Sequence, residues 1–532
     1  MAHIAPVYDT LIIDIGDVLF TWSAETKTAI SPRTLRKILN TATWFEYEKG
    51  QRSEVDCYST IGRELDLSPD DIAAALRGAR DSLMARTEMV TLLRELKPGR
   101  RVYAMSNISE PDAIVLRNKL LDWDVFDRVF TSAAAGARKP NIDFYQYVLE
   151  QTGADPRRTI FVDDRLDNLV TARSFGMRGV AYDHFANVER TLRNLCGDPV
   201  ERGEAFLHAH AKNHLSYTST HQTINENFTQ LLLLEATGDP SLVDYTEYEG
   251  PFNFFREAEQ SAEFPCDVDT TSVGLTVSER IAPSIKDGVM DEILRLRSSD
   301  RIVPVYFDRR RSRLDPVVCT NALTLFYANE RGHELAETLD WVHRVLQYRA
   351  YIEGTRYYES PEAFLFFISR LLDVAPELRS RLGPLLAARV RERLGARGDA
   401  LALAMRLIVC AKLNIEASVD VRTLLDLQEV DGAWSGWFYK FGSSGVLSGN
   451  RGLTTALAVK AIEGQRRLRN AIARPTADSM EIARPQRRDG VIEKRASRRP
   501  CAGLGTSATK KPSASCDKET GIAFSRADQP TG

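Results

Sequence analysis

Two sets of residues in this 532-residue chain have the types and spacing for chemistry. The first is Asp267-Val268-Asp269-Thr270-Thr271-Ser272. Two aspartates two residues apart can share a confined site, where ionising one raises the pKa of the other and burial raises both. A carboxyl kept protonated at rest and poorly solvated is what delivers a proton to an unactivated alkene. The competing reading of the same residues is an Asx-type helix start, with Asp267 or Asp269 capping a helix that begins near Thr270. The second set is dispersed: Asp14 beside Gly16, Ser106-Asn107, Lys139-Pro140 and Asp163-Asp164. A carboxylate nucleophile, short polar donors, a cation and a carboxylate pair for Mg²⁺ are the parts of a phosphoryl site.

The dispersed set converges only if the chain between its members builds a sheet. Asp14 closes the apolar run Leu11-Ile12-Ile13, Ser106 ends Arg101–Met105, Lys139 follows Arg128–Thr131, and Asp163 ends Thr159–Val162. With Gly179–Tyr182 these runs alternate with helical stretches, which predicts a doubly wound parallel α/β sheet whose carboxyl edge gathers the strand-end residues. Residues 26–95 show helical periodicity without a strand signal and are expected to form a helical cap over that edge. After Asn187 helical stretches follow one another, so residues 187–464 read as an all-α domain. Residues 465–532 are rich in Arg, Lys, Ser, Ala, Pro and Thr and include Arg487-Arg488 and Lys510-Lys511. Such a segment buries too little apolar surface to offset its ordering entropy, and disorder is expected there. The first domain then spans residues 1–186.

A composition of 43% hydrophobic and 27% charged residues with a net charge of −3 offers no general basic excess for nucleic acid, so an anionic ligand must be held by local features. No run approaches the roughly 18 to 20 apolar residues that span a bilayer, and Met1–Asp9 lacks the pattern of a signal peptide. A cytoplasmic protein without a membrane span is expected. The seven cysteines are scattered and not spaced as a zinc site, which points to reduced thiols.

Taken together, the four strand-end motifs resemble those of haloacid-dehalogenase-like hydrolases over about Tyr8 to Tyr182. The resemblance implies Asp14 as nucleophile through an aspartyl-phosphate, Ser106, Asn107 and Lys139 as phosphate ligands, and Asp14, Gly16, Asp163 and Asp164 around magnesium. Phosphatases of this family usually carry a second Asp two residues after the nucleophile as general acid/base, where this chain has Gly16. Protonation of the leaving group is thereby unassigned, since Asp17 is expected to point elsewhere, and an inert scaffold is the alternative. Asp163-Asp164-Arg165-Leu166-Asp167 also spells the metal motif of class I terpene synthases. That motif needs a helix face, and these residues follow a β-branched strand.

The acidic hexapeptide, preceded by Phe264-Pro265-Cys266, resembles the motif of class II terpene cyclases. In that family the central aspartate is the proton donor, which implies Asp269 as catalytic acid, Asp267 as its partner, and Thr270 as a neighbour that orients the proton. Gln428-Glu429-Val430-Asp431-Gly432-Ala433-Trp434 resembles the Gln-x-x-x-Gly-x-Trp repeat with which such cyclases tie helices together, implying an α/α barrel over roughly Gly203 to Gly464. Carbocations require walls that tolerate positive charge without attacking it, and aromatic faces do so. Of many aromatic candidates in this half, Trp341, Trp437 and Phe254 stand out, with Arg309-Arg310-Arg311 or Lys440 for the diphosphate. The two halves together resemble drimane-type sesquiterpene synthases. That implies farnesyl diphosphate as the isoprenoid substrate, protonated and closed to a bicyclic diphosphate, then dephosphorylated with Mg²⁺. A geranylgeranyl substrate, and a phosphatase whose helical half is only a binding scaffold, stay open. With one barrel in the chain, the cyclase site is expected inside it or at its junction with the first domain.

Overall fold

The computed structural model describes residues 8–119, 122–256, 264–442 and 444–473. Five parallel strands form the first domain: β1 (Thr10–Ile13), β2 (Arg101–Ser106), β3 (Arg128–Thr131), β4 (Thr159–Asp163) and β5 (Arg178–Ala181). Their order is β3-β2-β1-β4-β5. Every residue of β1 is buried, as a central strand covered on both faces requires. Ile13 stands level with Ala104 of β2 and Val162 of β4, so the residues that follow these strands emerge at one edge. The chain crosses in opposite directions from β1, and a crevice opens there.

The cap is a helical insertion, Pro32–Ile38, Ala42–Glu48, Glu54–Leu65 and Pro69–Asp81, with its own core around Leu35, Ile38, Tyr47, Ile61 and Ile72. It ends earlier than residue 95. Phe20–Thr21 pairs antiparallel with Met84–Ala85 and closes the insertion. The helix Thr87–Leu96 then buries Met89, Val90, Leu92, Leu93 and Leu96 in the core of the sheet. Helical periodicity is the same for a cap helix and a sheet-covering helix, and only the packing partner separates them. The boundary at residue 186 moves for the same reason. The helix Phe185–Cys196 places Val188, Leu192 and Cys196 in that core, so the first domain runs through Cys196.

The second domain is a ring of six inner helices: α1 (Asn227–Thr237), α2 (Val268–Val277), α3 (Pro316–Ala328), α4 (Pro361–Val374), α5 (Ala400–Lys412) and α6 (Arg451–Ala473). Each packs on the next, and α6 packs back on α1 to close the barrel. Most of these helices are apolar nearly all round where they face the ring, and α5 is buried without interruption from Ala400 to Cys410; α6 is so only in its first half. Outer helices such as Ala336–Gln347 and Ser418–Asp426 bury a single stripe against them. One feature departs from the all-α expectation. Strands β6 (Ser216–Thr218), β7 (Thr223–Ile224), β8 (Tyr439–Lys440) and β9 (Leu447–Asn450) form a small antiparallel sheet in the order β8-β9-β6-β7. Strands of two to four residues carry no periodicity to read. The expected tail boundary at 465 also moves, because α6 continues to Ala473; the rest of the expected disordered tail lies outside the described residues. No helix among the described residues is long and apolar enough to cross a membrane.

Candidate active sites

In the barrel, the loop ahead of α2 is pinned by backbone hydrogen bonds from Val268 to Val305 (2.8 Å) and from Phe307 to Cys266 (3.1 Å). Asp267 is the N-cap of α2, and its Oδ1 accepts from the Thr270 amide at 2.6 Å. The capping and functional readings of this residue are therefore not exclusive. Its Oδ2 is buried with no hydrogen-bond partner, and Asp267 lines a cavity of about 350 Å³. Asp269, one turn in, faces the same cavity and is 8% exposed. Its Oδ1 accepts from Asn321 Nδ2 on α3 (2.6 Å), and its Oδ2 accepts from the Tyr358 hydroxyl. Asn321 Oδ1 in turn accepts from Arg370 Nη1 of α4 (2.6 Å). Arg370 is paired with Glu235 of α1 through Nε (2.7 Å) and Nη2 (2.6 Å).

Burial raises both aspartates to about 7. For Asp267 the Thr270 amide opposes the rise and the neighbouring Asp269 adds to it. For Asp269 the donors Tyr358 and Asn321 oppose it, Asp315 adds to it, and Arg370 opposes. A carboxyl in that range is substantially protonated at neutral pH.

The walls of the cavity include Phe228, Phe254, Phe264, Tyr306, Tyr357, Tyr358, Tyr439 and Phe441. Edge-to-face contacts, Phe254 with Tyr439 at 5.3 Å and Phe264 with Tyr306 at 5.6 Å, hold these rings in place. Backbone pairing of Tyr358 with Tyr439 ties the segment before α4 to β8. Of the three aromatics singled out by sequence, only Phe254 lines this cavity. Trp437 packs on Tyr217 with the rings tilted and 5.3 Å apart, and Trp341 packs on the outside of the core. Gln428 and Trp434 are fully buried ties. Gln428 Nε2 donates to the Pro199 and Gly432 carbonyls (3.0 and 2.9 Å), and Trp434 Nε1 donates to the Leu424 carbonyl (2.8 Å).

The arginine run is corrected in the same way. Arg309 donates to the Arg295 carbonyl (2.7 Å), Arg310 is paired with Asp308 (3.0 Å), and none of the three lines the cavity. The cations that do are Arg313, Arg356 and Lys440. Lys440 is held by Glu359 at 3.3 Å, and Arg313 donates to the Tyr357 hydroxyl at 3.1 Å. Arg313, Arg356, Asn321 and Arg370 were not singled out by sequence. An isolated Arg or Asn, whether in a helix as Asn321 and Arg370 are or in a loop as Arg313 and Arg356 are, has no spacing to mark it.

At the edge of the first domain, Lys139 Nζ lies 2.7 Å from both Asp14 Oδ1 and Asp163 Oδ2 and is 1% exposed. Burial raises Asp14 to about 7 against the pull of Lys139. Asp163 Oδ1 is held by Asn168 Nδ2 (2.8 Å) and the Arg165 amide (2.9 Å). Carboxylate oxygens of Asp14, Asp163 and Asp164 lie within 4.8 Å of one another, a donor set that suits a hard divalent cation. Burial, then the charge of Asp163, raises Asp164 to about 6. Ser106 is buried at the end of β2. Asn107, expected on the phosphate, uses its amide on the Lys139 backbone instead (2.9 and 2.7 Å), so it shapes the lysine loop. Asp17 has left-handed backbone (φ 56°) and accepts from Trp22 Nε1 at 3.1 Å. A Cβ at Gly16 would meet nothing within 4 Å.

The sequence matches two families, haloacid dehalogenase-like hydrolase over residues 8–176 and sesquiterpene cyclase astC-like C-terminal domain over residues 200–329. Drimenol cyclase drtB of Aspergillus calidoustus is 44% identical over 463 residues, 85% of this chain and 88% of that protein. Sesquiterpene phosphatase astK of Aspergillus oryzae is 40% identical over 191 residues, 36% of this chain and 97% of that protein. A solved HAD-like family hydrolase from Porphyromonas gingivalis aligns with 33% of this chain and 91% of its own at 23% identity and a TM-score of 0.29. With a buried acid pair in an aromatic-walled barrel behind a phosphoryl site, and a relative that matches along nearly its whole length, this chain belongs to the drimenol cyclase family of two-domain enzymes, a sesquiterpene cyclase preceded by a haloacid-dehalogenase-like phosphatase domain.

Proposed function

We propose that the barrel cyclises farnesyl diphosphate by protonation to a drimane-type bicyclic diphosphate, and that the first domain then dephosphorylates it. The observation that carries this reading is the lining of the barrel cavity that holds the acid pair: Asp267 and Asp269 in its wall, aromatic faces around it, and Arg313, Arg356 and Lys440 to hold a diphosphate. In this reading Asp269 gives its proton to the terminal alkene, two rings close as each alkene attacks the developing cation, and loss of a proton leaves the exocyclic or ring double bond. The rings accept the migrating charge by their quadrupoles. Asn321 and Tyr358 donate to the carboxylate that proton transfer creates, so the barrier is lowered where charge develops.

In the first domain Asp14 attacks the terminal phosphorus, the bond to the bridging oxygen breaks, and water later hydrolyses the aspartyl-phosphate. Lys139 neutralises charge beside Asp14, and Ser106 donates to a phosphoryl oxygen. Magnesium held by Asp14, Asp163, Asp164 and the Gly16 carbonyl would supply further charge neutralisation at the phosphate. The deciding experiment is incubation of the purified full chain with farnesyl diphosphate and Mg²⁺, with products read by mass spectrometry. A bicyclic skeleton that disappears in Asp269→Asn supports the cyclase reading; unchanged cyclic product in that variant sinks it. Free alcohol or monophosphate that disappears in Asp14→Asn assigns the second step to the first domain.

A further inference from the structure

The carboxyl of Asp269 is the inner end of a chain of side chains drawn from four segments, buried except for the half-buried Glu235 at its outer end. Glu235 on α1 pairs with Arg370 on α4, Arg370 donates to Asn321 on α3, and Asn321 donates to Asp269 on α2. The polarity of this chain has only one consistent setting. A guanidinium has five donors and no acceptor. Arg370 therefore requires the carbonyl oxygen of Asn321 to face it, which turns the Asn321 NH₂ toward Asp269. The Oδ1 of Asp269 then faces a group that can only donate, so a proton on Oδ1 would point at the amide hydrogen with no lone pair to receive it. The carboxyl has one other oxygen.

We infer that the Glu235–Arg370 pair acts through Asn321 as a positioning device that places the acidic proton of Asp269 on Oδ2, the oxygen beside Tyr358. This rests on the reading of Asp269 as the acid. The Tyr358 hydroxyl is hydrogen-bonded to the same oxygen, and a hydroxyl, unlike an amide NH₂, can accept as well as donate, so a proton on Oδ2 is tolerated there. Once the proton has gone to the alkene, Asn321 and Tyr358 each donate to a carboxylate oxygen, and only the hydroxyl hydrogen has to turn. Glu235 has a second part in the device. Arg370 is 6% exposed, and its charge, left alone, would favour the ionised form of the acid it orients. The bidentate carboxylate cancels that charge while leaving Nη1 free to hold Asn321. The other ionisable groups facing Asp269 are Asp267 at the start of α2, Asp315 and Cys319 on the first turns of α3, and Tyr358 ahead of α4.

The test uses the full chain with farnesyl diphosphate and Mg²⁺, following the cyclic skeleton across pH. Asn321→Asp is nearly isosteric and gives Arg370 a carboxylate to pair with, but it turns an acceptor toward Asp269, so the proton moves to Oδ1. It is expected to lower kcat about 100-fold with KM within about threefold. Arg370→Met is expected to lose a similar factor, and Arg370→Lys, which keeps a donor for Asn321, to recover at least about tenfold of it. Glu235→Gln is expected to move the high-pH limb of kcat to lower pH. Asn321→Asp with kcat within about threefold of the parent overturns the proposal. So does a series that lowers only melting temperature or raises KM while the pH limb stays in place. If Arg370→Met does not fold, Asn321→Asp decides alone. Asp269→Asn run in parallel separates the two failures, because its retained activity would remove the acid assignment itself.

Discussion

At the scale of single residues, the proposed cyclisation depends on carboxyls that burial keeps partly protonated. Asp269 sits near 7 in the folded chain against an ordinary 3.8, with burial as the largest cause. With Asp269 as the proposed proton donor the working form is the acid, so cyclisation should fall toward tenfold per pH unit above about 7, as measured by kcat on farnesyl diphosphate. The same shift has a cost in stability. Between 3.8 and about 7 the folded chain holds a proton at Asp269 that the unfolded chain has released, so the contribution of this group to stability declines as pH rises through that window. Asp269→Asn should therefore melt above the parent at pH 8, by about 2 kcal/mol in unfolding free energy, and lose that advantage near pH 4.

Gly16 invites a residue-scale prediction of a different kind. Cleaving the terminal phosphoryl of a diphosphate expels a phosphate ester, a weak base that leaves without help, since phosphate second pKa values lie near about 6. Cleaving a monophosphate expels an alkoxide, which needs a proton. There is open space for a side chain at Gly16, and Asp17 is occupied by Trp22. Gly16→Asp should raise hydrolysis of an alkyl monophosphate by about tenfold or more while changing diphosphate cleavage little. Equal effects on both substrates would argue that leaving-group protonation is already provided.

At the scale of elements, the glutamine–tryptophan segment shows how the barrel is held closed and joined to the sheet domain. Trp434 has no exposed surface and anchors the loop before β8 to the outer helix Ser418–Asp426. Arg202 donates to Gln428 Oε1 (3.0 Å) and to the Glu429 carbonyl (2.7 Å). Asn194, on the last helix of the first domain, donates to the Gln428 carbonyl at 2.9 Å. One segment thus ties two outer helices of the barrel and the neighbouring domain. Trp434→Ala should cost about 3–5 kcal/mol in chemical denaturation, because a large cavity opens and several backbone groups lose their partners. A loss below about 1 kcal/mol would show that the tie is not structural.

At the scale of the whole molecule, the two chemistries have different needs. The one acidic cluster among the described residues suited to a metal is Asp14, Asp163 and Asp164, and the barrel cavity carries arginine and lysine for its diphosphate. Chelation of divalent metal should therefore arrest phosphate release more strongly than ring closure, and the cyclic diphosphate should accumulate when products are separated without hydrolysis. If both steps stop together, the barrel also needs a metal for its substrate.

The order of the two folds, and the carboxyls and cation that the proposed chemistry uses, were legible in the amino-acid sequence alone. Strand-end residues such as Asp14, Ser106 and Asp163 are legible because a parallel sheet must deliver them to one edge, and Asp267 with Asp269 because two carboxyls at that spacing share one environment. The surroundings of those groups come from packing. Asn321, Arg370 and Glu235 come from three helices far apart in the chain, and Arg313 and Arg356 from separate loops, so no local spacing announces them. The same holds for Trp437 and Trp341, whose place outside the cavity follows from the way the inner helices close into a ring. Local pattern reports which face of an element is apolar; which element that face meets is settled by packing.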